Sequence, residues 1–305
     1  MGVVIEEGRR LSVDGWESAG DRVDLGGVAT FVVEIDPPEE ALFEPLLVLH
    51  GFPTSSYDFR HVAAGLARNR RVVLLDFPGF GFSAKPDVRY SIEQHADVVE
   101  ALVGKLREPR LALLTHDMGD SIGGEVLARS LEGSWPCEFT KRVVTNGSIY
   151  LDLAQLTDGQ KMLLSLPDER LAEGPGQEPL EASLAATMAP GSLAARADLS
   201  GEASLILREG GNNLLPRTIR YIEDRRRAES RYTGAIESHP SPVALIWGTE
   251  DPIAVSEMAS RFAARRPDAR IDLLEGVGHY LMLEDPERFV SLTTRFLDQG
   301  DHPED

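Results

Sequence analysis

Six short apolar runs recur along this chain, at Leu46–Leu49, Val72–Leu75, Leu111–Leu114, Val143–Val144, Val243–Trp247 and Ile271–Leu274. They lack the alternation of a half-buried strand, so each reads as a strand covered on both faces, as in a parallel sheet flanked by helices. Between them lie stretches such as Ser91–Leu106, where Ile92, Val98, Leu102 and Leu106 line one face of a helix. Strands alternating with helices predict a doubly wound α/β sheet. Arg22–Leu25 and Ala29–Ile35, on either side of Gly26-Gly27, predict a hairpin at its edge.

The strand rhythm stops from about Ser148 to His239 and resumes at Val243. In between, the sequence is helical in tendency, with breaks at Glu173-Gly174-Pro175-Gly176 and Ala189-Pro190-Gly191. Open α/β sheets place their sites beyond the carboxyl ends of the strands, so this insertion is expected to form a helical cap there. The division is a core over residues 1–147, a cap over 148–239 and the rest of the core over 240–305.

Chemistry concentrates in L-L-T-H-D-M-G-D-S-I-G-G-E, Leu113 to Glu125. A nucleophile elbow is a tight turn directly after a strand and directly before a helix. Two overlapping readings compete: G-D-S-I-G, with Ser121 at the apex, and T-H-D-M-G, with Asp117. A strand reaching Ser121 would bury Asp117, Gly119 and Asp120 in the sheet, at a high desolvation cost. The apolar run arrives at Asp117 with no spare residue, and Gly119 permits the close backbone approach an elbow needs. Asp117 is therefore the expected nucleophile and Ser121 falls early in the helix, where Asp120 gains from the helix dipole.

Other strand ends supply companions. His50-Gly51-Phe52-Pro53 follows the third strand, and the Phe52 backbone N–H joins that of Met118 as an expected oxyanion hole. Trp247-Gly248-Thr249-Glu250-Asp251-Pro252 ends the next-to-last strand, and Gly278-His279-Tyr280 follows the last. Asp251 is the expected acid, with Glu250 as the alternative, and His279 the base; the order is nucleophile, acid, base. Asn146, after the sixth strand, carries no charge to stabilise an imidazolium, so it is expected only to hydrogen-bond near the site.

At these residues the sequence resembles the α/β-hydrolase fold over nearly its whole length. H-G-F-P at 50–53, D-F-P-G-F-G-F-S at 76–83, H-D-M-G at 116–119, W-G-T-E-D-P at 247–252 and G-H-Y at 278–280 resemble the epoxide hydrolase and haloalkane dehalogenase group. The run of motifs, with N-G-S-I at 146–149, is similar to the mesoderm-specific transcript branch. The resemblance implies attack of the Asp117 carboxylate on a saturated carbon, then hydrolysis of the ester by water activated by His279, which Asp251 orients. It implies no metal and no organic cofactor. Dehalogenases of the group usually hold the halide with a tryptophan after the nucleophile and often an asparagine in the H-G-x-P loop. Those positions here are Met118 and Phe52, whose side chains donate no hydrogen bond. Epoxide hydrolases use cap tyrosines on the ring oxygen, and Tyr221 stands at a position resembling the second of these. Tyr150 and Tyr232 are further candidates, and His116 and Asn146 complete the expected substrate-binding set.

The expected activity is thus epoxide hydrolysis on small, largely apolar substrates. The alternatives are a haloalkane dehalogenase with an altered halide site, a Ser121 esterase and a ligand-binding protein of the same fold without turnover. The partners expected are a small-molecule substrate and water. A net charge of −19, from 31 basic and 50 acidic residues, weighs against nucleic acid and anionic membrane surfaces. The opening M-G-V-V-I-E-E-G-R-R lacks the apolar run of a signal peptide, and the single cysteine, Cys137, permits no internal disulfide. The expected location is the cytoplasm.

Overall fold

A computed structural model describes residues 2–6, 11–192 and 199–299. The expected runs form one eight-stranded sheet: β1 (Gly20–Leu25), β2 (Val28–Ile35), β3 (Leu46–Leu49), β4 (Val72–Leu75), β5 (Arg110–His116), β6 (Glu138–Thr145), β7 (Val243–Gly248) and β8 (Arg270–Leu274). Their spatial order is β1-β2-β4-β3-β5-β6-β7-β8. β1 pairs antiparallel with β2, and β2 with β4; the remaining pairs are parallel. The edge hairpin turns through Gly26 and Gly27, both at positive φ (68° and 88°), a two-residue turn that glycine adopts without strain.

Every residue of β3, β4 and β7 is buried, as expected of strands covered on both faces. β8 departs from that expectation. It is the sheet edge, only Leu274 is fully buried, and Leu273 is 45% exposed. An edge strand lies beyond the full cover of the helical layers, which accommodates the Arg270–Asp272 ion pair at 2.6 Å.

The order of strands creates the place for a site. The chain leaves β3 for β4 on one side, then crosses back to β5 on the other, so the connections after β3 and β5 diverge. Such a switch point opens a crevice at the carboxyl ends of the two strands. The His50–Pro53 loop and Asp117 both emerge there.

The helix Ile92–Leu106 begins with a capping box: Ser91 Oγ accepts from the Gln94 N–H at 3.2 Å and Gln94 Oε1 from the Ser91 N–H at 3.1 Å. Between β6 and β7 the described residues hold helices and no strand, chiefly Asp158–Ser165, Gln177–Ala185, Ser200–Leu207 and Tyr221–Ser238. The last is kinked at Ala228, where φ is −131°. Its later half packs against the helix Met118–Leu131, so tightly that a Cβ on Gly124 would lie 2.8 Å from the Tyr232 carbonyl oxygen. Its first residue, Tyr221, reaches the crevice, with its ring 5.7 Å from that of Phe52. The hydrophobic core runs without a break from the sheet into these helices.

Candidate active site

β5 ends at His116 and the helix begins at Met118, so the turn falls on Asp117, held at φ 50° and ψ −113°. An L-residue enters that region only where its surroundings force it, at a cost of order 1–3 kcal/mol. Two glycines make the forcing possible. A Cβ on Gly119 would stand 2.4 Å from the Leu49 carbonyl oxygen, and one on Gly51 would stand 2.7 Å from Asp117 Cβ. Ser121 lies inside the helix, one turn past the elbow, and is buried.

The Asp117 carboxylate receives the Phe52 N–H on Oδ2 at 2.9 Å. The loop that presents Phe52 is shaped by His50, whose Nε2 accepts the Phe77 N–H at 3.0 Å while Nδ1 lies 2.8 Å from the Gly51 carbonyl. Those two contacts require the neutral ring with the proton on Nδ1, and burial lowers its pKa, in keeping with that form. Met118 is the first helical residue, and its N–H has no partner within the helix.

His279 Nδ1 stands 2.8 Å from Asp251 Oδ2. Burial alone would lower the His279 pKa, but the charge of Asp251, its hydrogen bond and the charge of Asp117 outweigh that and raise it to about 9. Asp251 is itself fixed: the Ile253 and Ala254 N–H groups donate to Oδ1 at 2.7 and 3.1 Å, and Asn146 Nδ2 donates to Oδ2 at 2.6 Å. Glu250, the alternative acid, is exposed. Asp117, Asp251 and His279 are thus brought together, with Phe52 and Met118 beside them.

Three expected contributors are committed elsewhere. Asn146 spends its whole amide on Asp251, the Gly278 carbonyl (3.3 Å) and the Gly248 N–H (2.9 Å), so it holds the acid in place and is not free for substrate. Tyr150 donates its hydroxyl to Glu237 Oε1 at 2.7 Å, and Tyr232 donates to Glu93 Oε1 at 2.8 Å. A phenol whose hydroxyl is donated to a carboxylate is not available to a substrate oxygen, and both are removed from the binding set.

Tyr221 stays. It is 2% exposed, its ring centroid lies 5.7 Å from that of Phe52, and burial together with the Asp117 charge raises its pKa, keeping the hydroxyl protonated. His116 is buried with its ring 5.0 Å from that of His279, and its Nε2 has no hydrogen-bond partner among the described residues. Burial, with the His279 charge acting in the same direction, pushes its pKa well down, so it is neutral. Asp120 corrects the helix-dipole expectation: buried beside Asp117, its carboxyl is pushed well above the usual range by desolvation.

The sequence reading passed over Glu284. Its Oε2 accepts the Gly278 and Ala189 N–H groups at 3.0 and 2.8 Å, and Oε1 accepts the Tyr280 N–H at 3.1 Å, which clamps the loop carrying His279. A glutamate five residues after a loop histidine has no distinguishing sequence signal. Among the described residues no cluster of metal-ligating side chains occurs, and no helix is long and apolar enough to cross a membrane.

A family model described as the alpha/beta hydrolase family matches residues 46–292. The putative hydrolase LipZ of Mycobacterium tuberculosis is 32% identical over 253 residues, covering 83% of this chain and 88% of the relative. The mesoderm-specific transcript protein of Mus musculus is 31% identical over 271 residues, covering 83% and 78%. The crystal structure of an alpha/beta hydrolase fold protein from Burkholderia ambifaria superposes with a TM-score of 0.68 at 24% identity, over 92% of this chain and 100% of that one.

Proposed function

The chain belongs to the alpha/beta hydrolase family, and on that premise we propose that it is an epoxide hydrolase whose nucleophile is the Asp117 carboxylate, with residues 148–239 as its cap. The observation that carries the reading is the position of the strand-to-helix turn on Asp117, with Ser121 a full turn inside the helix.

An Asp117 oxygen attacks a ring carbon in line with the breaking C–O bond. An ester forms, and the departing alkoxide oxygen takes the proton of the Tyr221 hydroxyl. Alkylation also removes the Asp117 charge, one of the influences that raise the His279 pKa, so the imidazole gives up its Nε2 proton more readily after the first step, and that proton restores the Tyr221 hydroxyl. His279 Nε2 then takes a proton from water as its oxygen adds to the ester carbonyl. The resulting oxyanion sits at the Phe52 and Met118 N–H groups; its collapse breaks the acyl C–O bond, the departing oxygen takes a proton back from His279 to complete the diol, and the proton left on the Asp117 carboxyl passes to His279, restoring both groups. Net, one water is consumed per ring opened.

This route predicts where oxygen travels. In a single turnover of styrene oxide in ¹⁸O-water, with enzyme in excess, the label enters the Asp117 carboxylate and the diol leaves unlabelled. Label in the diol would mean direct attack by water and would end the Asp117 reading.

A further inference from the structure

The helix that places Tyr221 beside Phe52 also carries a cation, Arg225, that no carboxylate among the described residues neutralises. Arg225 is 3% exposed, and its Nε and Nη1 have no hydrogen-bond partner. Among the described residues no carboxylate forms an ion pair with it. The adjacent Asp224 faces away, held by Arg89 at 3.1 Å and by the Ile92 N–H at 3.2 Å. The Arg225 guanidinium lies over the Tyr221 ring, with its Cζ 5.5 Å from the centroid. A buried, unpaired charge is among the most expensive features a fold can carry, and it persists where a ligand compensates it.

The position is specific. Tyr221 and Arg225 are four residues apart in a stretch that stays helical until Ala228, so they share a face about 5–6 Å apart. The same Tyr221 ring packs on Phe52, whose N–H holds Asp117 Oδ2 at 2.9 Å. A group bound at Arg225 therefore lies about one helical turn from the reacting carbon.

We propose that Arg225 anchors a carboxylate of the substrate, so that the enzyme acts on short acids carrying their electrophilic carbon several bonds from the carboxylate. One guanidinium balances one negative charge, which suits a carboxylate and leaves a phosphate dianion under-neutralised. The expected preference for largely apolar substrates then holds only for the segment between the two ends. The inference rests on the Asp117 reading for where the reaction occurs, but the anion contact itself is testable without turnover.

The probes are 5,6-epoxyhexanoate and 5,6-epoxyhexanamide, alike in shape and different in charge, titrated calorimetrically into the non-reacting Asp117→Ala protein. The carboxylate is expected to bind at least tenfold more tightly than the amide. Adding Arg225→Met removes that preference and leaves amide affinity unchanged. Hexanoate against hexanamide on the wild-type protein repeats the comparison with Asp117 intact. Ligand-free Arg225→Met is expected to melt a few degrees higher than the wild type, because an unpaired buried cation has been replaced by an apolar chain. Equal affinity for the two probes, a preference that survives Arg225→Met, or a lower melting temperature showing that the guanidinium is paired within the chain would each overturn the proposal. Failure of the oxygen-labelling experiment would leave a carboxylate preference standing, so the two readings fail separately.

Discussion

Asp251→Asn is the change whose consequences the geometry specifies most fully. The two backbone N–H groups at 2.7 and 3.1 Å require an acceptor at the Oδ1 position, so the introduced amide must put its oxygen there and its nitrogen where Oδ2 was. That nitrogen then meets the Asn146 Nδ2 donor across 2.6 Å, and Asn146 cannot turn over because its Oδ1 is held by the Gly248 N–H. Two buried donors face each other, a loss of about 1–3 kcal/mol in stability. At His279 the new donor forces Nδ1 to accept, which moves the proton to Nε2, the atom that must be free to act as base. The charge and hydrogen bond from Asp251, the largest of the influences that raise the His279 pKa to about 9, vanish as well. A fall back to 6.5 is about 3 kcal/mol of lost imidazolium stabilisation, roughly 300-fold in a step that develops that charge. With the reversed tautomer, ester hydrolysis should slow on the order of 10⁴-fold. Alkylation needs only the Asp117 carboxylate and should proceed, so intact-protein mass spectrometry after substrate addition should show an adduct that persists, localised to Asp117. Nitrogen NMR of the histidine rings reports the tautomer directly. Turnover within tenfold of the wild type, in a variant whose circular dichroism is unchanged, would refute the reasoning.

Tyr221→Phe should slow opening of an epoxide about a hundredfold while affecting an alkyl bromide much less, since a halide leaves without a proton and an alkoxide does not; steady-state kinetics on matched substrates decides it. The His279 pair should also mark stability against pH. Its folded pKa is raised from 6.5 to about 9, so its contribution of about 3 kcal/mol is complete below pH 6.5 and is lost as pH rises through 9. Lys85, lowered to about 8 by burial, acts in the opposite direction between pH 8 and its ordinary 10.5. Urea unfolding of the wild type against His279→Gln cancels the lysine and should show a stability difference that shrinks between pH 6 and pH 10. A difference independent of pH would mean that the folded histidine is not held protonated.

Much of the architecture was legible in the chain itself because the relevant information is local and periodic. Unbroken apolar runs announced β3, β4 and β7, Gly26-Gly27 announced the edge turn, and the absence of any residue to spare after Leu114 put the elbow on Asp117. Adjacent Glu250 and Asp251 were harder to rank from sequence. Both follow the same strand, and only the packing shows one exposed and the other 2.8 Å from His279.

The fate of the polar side chains was decided by tertiary structure alone. Tyr221 was the first candidate among the tyrosines and Tyr150 and Tyr232 the further ones, yet Tyr150 finds Glu237 and Tyr232 finds Glu93, across contacts that no local pattern records. Asn146 looked like a substrate contact until Asp251, Gly248 and Gly278 closed around its amide. Arg225 is the converse, one of three consecutive arginines in Arg225-Arg226-Arg227, of which only Arg225 is buried. Hydrophobic burial depends on the spacing of apolar residues along a chain and so can be read in one dimension. A hydrogen bond depends on two atoms coming within about 3 Å in a fixed direction, and for residues a hundred positions apart only the packed helices and sheet determine whether they do.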